Sequence, residues 1–153
     1  MKTTFSLLLF LALGLAFIIS SCEKEDDEDE TEISRNGEDE SHNMGLNCMT
    51  CHTNGPGEGV FKIAGTLYDS TLVNTVSNGR VEFYDAASGG NLKYTLEVDA
   101  NGNFYTTENI DFGSGLYPKV IAPNGDSKMM NSPFSGGGCA SCNGNTRPRI
   151  SVN

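Results

Sequence analysis

From residue 59 to the C-terminus the chain consists of short β-branched and aromatic runs broken by Gly, Asn, Asp and Ser. That pattern restricts the fold more than any other feature, because runs of this length and alternation bury one face only when paired as strands. The runs are 60–68, 80–84, 93–98, 103–107, 116–121 and 150–152. They recur about every 8–12 residues, with no helical period long enough to compete, which predicts an all-β fold, an antiparallel β-sandwich. Asp99-Ala100-Asn101-Gly102 between the third and fourth runs reads as a hairpin turn. A calcium loop at Asp99-x-Asn101-Gly102-Asn103 would need a distal acidic ligand and flanking helices, so the turn is preferred. Residues 111–115, punctuated by Gly and Ser, read as loop.

The N-terminus is of a different kind. Lys2 precedes an apolar stretch from Phe5 to Ile19, and Ser20-Ser21-Cys22 follows as a small-residue cleavage site. The stretch is short for a span of about 20 residues and is followed by acids rather than Lys or Arg, so residues 1–21 are expected to be a signal peptide. The cysteine at this cleavage site resembles that of a bacterial lipobox, with Ile19-Ser20-Ser21 departing from the commonest Leu-Ala-Gly lead-in, and the resemblance implies acylation of Cys22 and a durable lipid anchor in the membrane. Removal of the signal leaves about 130 residues, one domain and a tail.

Charge divides that remainder. Between Glu23 and Glu40 stand eleven acids against Lys24 and Arg35, whereas from Ser41 onward nine acids face seven bases. A self-repelling segment with little to bury predicts a disordered tether over 22–40, with the folded domain spanning 41–153. The acidic run directly after Cys22 resembles the export signal of surface-exposed lipoproteins of one large Gram-negative phylum, implying an outer-membrane lipoprotein facing outward from the cell envelope. No basic cluster is present to favour nucleic acid.

Within the domain, Cys48-Met49-Thr50-Cys51-His52 sets two thiols three positions apart with an imidazole directly after them. In an exported protein this stretch resembles the haem-attachment site of c-type cytochromes. Over these five residues the resemblance implies one haem c, thioether-bonded to Cys48 and Cys51, with His52 as proximal iron ligand. A plain disulfide or zinc knuckle would not require the adjacent His. For the distal position the chain offers His42 first and Met130 or Met129 second, with Met44 a further thioether. The expected function is electron transfer, to redox partner proteins or an external electron acceptor. No Ser-His-Asp set, paired-carboxylate frame or phosphate loop suggests an enzyme.

Cys139-Ala140-Ser141-Cys142 repeats the thiol spacing with Asn143 in place of the imidazole. It resembles the second site of a dihaem relative that has lost its ligand. Two other readings stay open: a Cys139–Cys142 disulfide in an oxidising compartment, and a four-thiolate zinc site joining both pairs. Either would suit a non-enzymatic surface β-sandwich that binds a partner. The strand order, with residues 63–69, 81–85 and 99–104, resembles the transthyretin-like, carboxypeptidase-regulatory type of sandwich. That resemblance implies a fold and no function.

Overall fold

A computed structural model describes residues 31–88 and 90–152. The expected signal peptide, Cys22 and the tether before residue 31 lie outside the described residues. The described chain is all-β in two sheets. Its strands are β1 (Ile63–Thr66), β2 (Arg80–Tyr84), β3 (Leu92–Glu97), β4 (Asn103–Thr106), β5 (Tyr117–Ile121), β6 (Ser127–Met129) and β7 (Gly137–Gly138). One sheet has the order β4-β1-β7 and the other β3-β2-β5-β6. Every pairing is antiparallel except β1 with β7. The helical elements are one turn, α1 (Met49–His52), and a 3-10 turn (Cys139–Ser141).

Strand β2 behaves as its alternation dictates. Val81 and Phe83 point into the core while Arg80 stays exposed and Glu82 and Tyr84 are half-buried. Leu96 of β3 and Val120 of β5 join them, and Ile63, Leu67 and Phe104 enter the same cluster from the β1 and β4 side. One hydrophobic core therefore draws on both sheets.

Strand β1 departs from the alternation expected of it, since all four residues are buried. The register gives the reason. Ala64 and Thr66 share a face with Tyr105 and Asn103, opposite the core face that carries Ile63 and Phe104. That outer face is covered by the chain preceding β1: the Gly45 amide donates to Thr66 Oγ1 at 2.9 Å, and Asn103 Nδ2 donates to Ser41 Oγ at 2.9 Å.

Two expectations need correction. Residues 31–40, assigned to a disordered tether, lie along the free edge of β4. Ile33 bridges Thr106, and the Ser34 amide donates to the Tyr105 carbonyl at 3.0 Å. Buried Ser34 also donates from its hydroxyl to the Glu97 carbonyl at 2.7 Å, linking the two sheets. Glu38, Asp39 and Glu40 stay exposed, Glu32 is half-buried, and the backbone of the segment satisfies an otherwise open strand edge. The second correction concerns 99–102, which is no hairpin: β3 and β4 belong to different sheets, and the turn carries the chain between them. Asp99 Oδ1 accepts from the Asn101 and Asn103 amides at 2.9 and 2.8 Å, and Gly102 takes φ +88 where a side chain would strike Thr75.

If residues 31–40 belong to the fold, truncation before residue 31 should leave stability unchanged and truncation before residue 42 should lower it. Ser34→Ala removes the acceptor of the Tyr105 amide and the donor to Glu97. It should destabilise by about 1–3 kcal/mol in urea unfolding, the cost of orphaned buried partners.

Candidate functional site

Cys48 to His52 fold as a single helical turn. The Cys51 and His52 amides donate to the Cys48 carbonyl at 3.1 and 3.0 Å. None of the α1 residues is fully buried, and so short a helix has little stability of its own. Its anchor is the histidine.

The His52 ring stacks on Phe61 with centroids 4.0 Å apart and planes 4° from parallel, and Phe61 in turn stacks on Tyr105 of β4 at 4.9 Å. His52 Nδ1 lies 2.6 Å from the Glu58 carbonyl oxygen. A carbonyl can only accept, so Nδ1 carries a proton, which in the neutral imidazole leaves the lone pair on Nε2. The Gly55-Pro56-Gly57 turn brings the chain back over the motif: the Gly57 amide donates to the Cys51 carbonyl at 3.1 Å, and the Phe61 amide to the His52 carbonyl at 2.9 Å. A Cβ at Gly57 would stand 2.9 Å from His52 Nδ1, which reserves that position for glycine.

Of the proposed distal groups, His42 is the one brought near. Its ring centroid lies 6.2 Å from that of His52, with planes tilted by 41°. Asn103 Nδ2 fixes the approach by donating to the His42 carbonyl at 3.3 Å. Met129 and Met130 instead line a cleft whose walls include neither His52 nor Cys48 nor Cys51. Met44 is exposed on the covering segment.

The second cysteine pair folds as a copy of the first. The Cys142 and Asn143 amides donate to the Cys139 carbonyl at 3.3 and 3.0 Å, the same two bonds in the same order. The fifth side chain differs: Asn143 Nδ2 turns back to the Cys139 carbonyl at 3.1 Å and closes its own turn. The two motifs meet at Gly138, where a Cβ would collide with Asn47 and stand 2.7 Å from Met49 Cγ. Burial pushes the Cys139 thiol up to about 12, with the nearby Cys48 and Cys142 sulfurs adding to the effect. Burial also raises Cys48, with Cys51 adding and its own backbone amide opposing. All four described cysteines are free thiols. Among the described residues no three His, Cys, Asp or Glu side chains converge on a metal position.

The supports of His52 were not foreseen in the sequence. Glu58 acts through its carbonyl, which no residue type announces, and Phe61 belongs to a run that reads as strand. The Gly-Pro-Gly sequence was the one available signal that the chain doubles back. No family model, curated protein or solved structure matches this chain.

The burial pattern makes a direct prediction for the reduced, cofactor-free chain. Alkylation at pH 8 should modify exposed Cys51 and Cys142 rapidly and spare Cys139, whose thiolate forms only as pH rises toward about 12. Peptide mass mapping after a timed quench reads the order, and denaturant should make all sites equivalent.

Proposed function

We propose that this chain is a lipid-anchored, monohaem c-type electron carrier of the bacterial cell envelope. The observation that carries the reading is the His52 imidazole, held by stacking on Phe61 and by Nδ1 donation to Glu58 so that Nε2 is left as a free donor. Iron-ligating histidines need that tautomer, and a partner on the far nitrogen is what fixes it. The residues therefore fit the group. Cys48 and Cys51 would hold it by thioether bonds, each S–H adding across a vinyl group, and His52 would supply the proximal nitrogen. His42 is the best-placed distal donor. When bound, haem supplies a one-electron couple; the chain contributes ligation, orientation and a partly exposed setting through which electrons can pass to a partner.

The two sheets fit a β-sandwich of the transthyretin-like type, in which β1 and its covering segment form the platform for the haem motif. Acylation of Cys22 would attach this platform to the outer membrane, and the acids after it would direct it outward. A second reading rests on the abutment of the two motifs at Gly138: a surface binding module whose cysteine pairs form disulfides or take zinc.

Expressed with the cytochrome c maturation machinery, the exported protein should be red and carry one haem increment in its intact mass. Cys51→Ser should lose stable attachment. Asn143→His supplies an imidazole to the 139–143 turn but leaves Cys139 buried, so the increment should stay at one. A colourless product with stoichiometric zinc, or with two intramolecular disulfides, would favour the binding-module reading.

Address is tested separately. Cys22→Ala should release the protein in soluble form, while neutralising residues 26–30 should leave it anchored but shielded from protease added to intact cells. Persistent shielding of the native protein would place it on the periplasmic side.

A further inference from the structure

Six Asn-Gly dipeptides occur in the chain, at 36–37, 54–55, 78–79, 101–102, 124–125 and 143–144. Such a dipeptide is chemically weak, because glycine has no Cβ to keep its backbone nitrogen from reaching the carbonyl carbon of the asparagine side chain. Attack there forms the N–Cγ bond of a cyclic imide and expels ammonia; water then opens the ring at either carbonyl, leaving aspartate or isoaspartate. The reaction needs a free glycine nitrogen, a free side chain and water.

The fold withholds these from five of the six pairs. The Gly37 amide donates to Asn78 Oδ1 at 2.8 Å, which holds the nitrogen of one pair and the side chain of another. Gly79, which follows Asn78, is buried. Asn101 Nδ2 donates to the Asp39 and Ser41 carbonyls at 2.9 and 2.7 Å, and the Gly102 amide to the Asp99 carbonyl at 3.2 Å. Asn124 Nδ2 donates to Asp126 Oδ2 at 2.8 Å, and the Gly125 amide to the Ala122 carbonyl at 2.9 Å. Asn143 Nδ2 is bound to the Cys139 carbonyl, and the Gly144 amide donates to the Arg147 carbonyl at 2.8 Å.

Asn54-Gly55 has none of these restraints. Both residues are exposed, and neither the Asn54 side chain nor the Gly55 amide makes a hydrogen bond among the described residues. The fold cannot dispense with this glycine, since a Cβ at position 55 would stand 2.8 Å from Cys51 Cα. The weak pair also lies inside the loop that runs from His52 to Glu58, whose carbonyl accepts from the His52 ring. We propose that Asn54 is the deamidation site of this protein, and that the isoaspartyl product frees His52 from Glu58. An isoaspartyl link carries the main chain through the side-chain methylene. The loop thus gains a backbone atom between ends that are both anchored, by the Gly57 amide on the Cys51 carbonyl and the Phe61 amide on the His52 carbonyl. Neither step involves haem.

The full exported chain carrying Cys22→Ala is aged, reduced and cofactor-free, in mildly alkaline buffer, and its peptides are mapped by mass. The peptide bearing Asn54 should gain the mass of an amide-to-acid exchange about tenfold faster than the other five, the factor that breaking one or two hydrogen bonds imposes on a rate. In urea the six should react at similar rates. Asn54→Gln, whose longer side chain closes the imide slowly, should protect the folded protein at this position. For His52, ring-nitrogen NMR should show a second signal set, with the proton no longer confined to Nδ1, in proportion to the isoaspartate formed. Asn54→Asp adds the charge without the extra atom and should keep the single set. Faster reaction at another pair in the folded chain, or an equal preference for Asn54 in urea, would overturn the site; an unchanged His52 signal in the isoaspartyl fraction would overturn the release.

Discussion

Asn103 is the joint on which the site depends. It is buried at the start of β4, and each of its polar groups is committed to a different part of the chain. Its amide donates to Asp99 and closes the turn between the sheets; its Oδ1 accepts from Thr66 of β1 at 2.6 Å; its Nδ2 reaches Ser41 and His42. Thr66 then accepts from Gly45, so β1, β4 and the 41–45 segment meet through two side chains. Buried polar groups are costly unless satisfied, so these contacts act as a unit: displacing the 41–45 segment would leave Asn103 and Thr66 short of partners inside the protein. The segment bearing His42 is thus fixed by the same residue that fixes the sheet crossing.

The strands announced themselves wherever one face was buried and the other wet. Arg80 to Tyr84 alternates in sequence, and β2 has those bounds. The signal weakened where burial came from outside the sheets. Strand β1 contracts to Ile63–Thr66 because the 41–52 segment, not a second sheet, buries its outer face. It vanished at β7, since Gly137 and Gly138 have no side chains to alternate and pair with β1 through backbone alone. The run at 150–152 was legible, yet it reaches only one bridge, Ser151 to Tyr68. Acidic composition concealed the role of 31–40, because what docks there is mainly backbone. At the site, the thiols and imidazole were legible by spacing, while the Glu58 carbonyl and the Phe61 stack became visible only once the chain had folded back.

The two cysteine motifs show how one local geometry can serve different chemistry. Both are helical turns closed on the carbonyl of their first cysteine. The fifth residue then determines what the turn offers. His52 reaches outward to the Glu58 carbonyl, whereas the short Asn143 amide bonds back to Cys139. Burial separates them further. Cys142 is exposed but Cys139 is sealed beneath the Gly65 and Phe104 packing, which makes it a poor nucleophile at neutral pH.

On the proposed reading, ligand choice sets the direction of electron flow. A thioether opposite the imidazole favours reduced iron and raises the potential, whereas a second imidazole does so less. His42 stands 6.2 Å from His52, whereas the Met129 and Met130 thioethers line a separate cleft; with His42 as the second donor the iron would have two nitrogen ligands and a low potential. The exposure of His42 and Cys51 would act in the same sense, because water stabilises the more positive, oxidised iron. A carrier of that kind yields electrons readily, and an acceptor outside the cell would receive them at the exposed edge of the site rather than through the protein core.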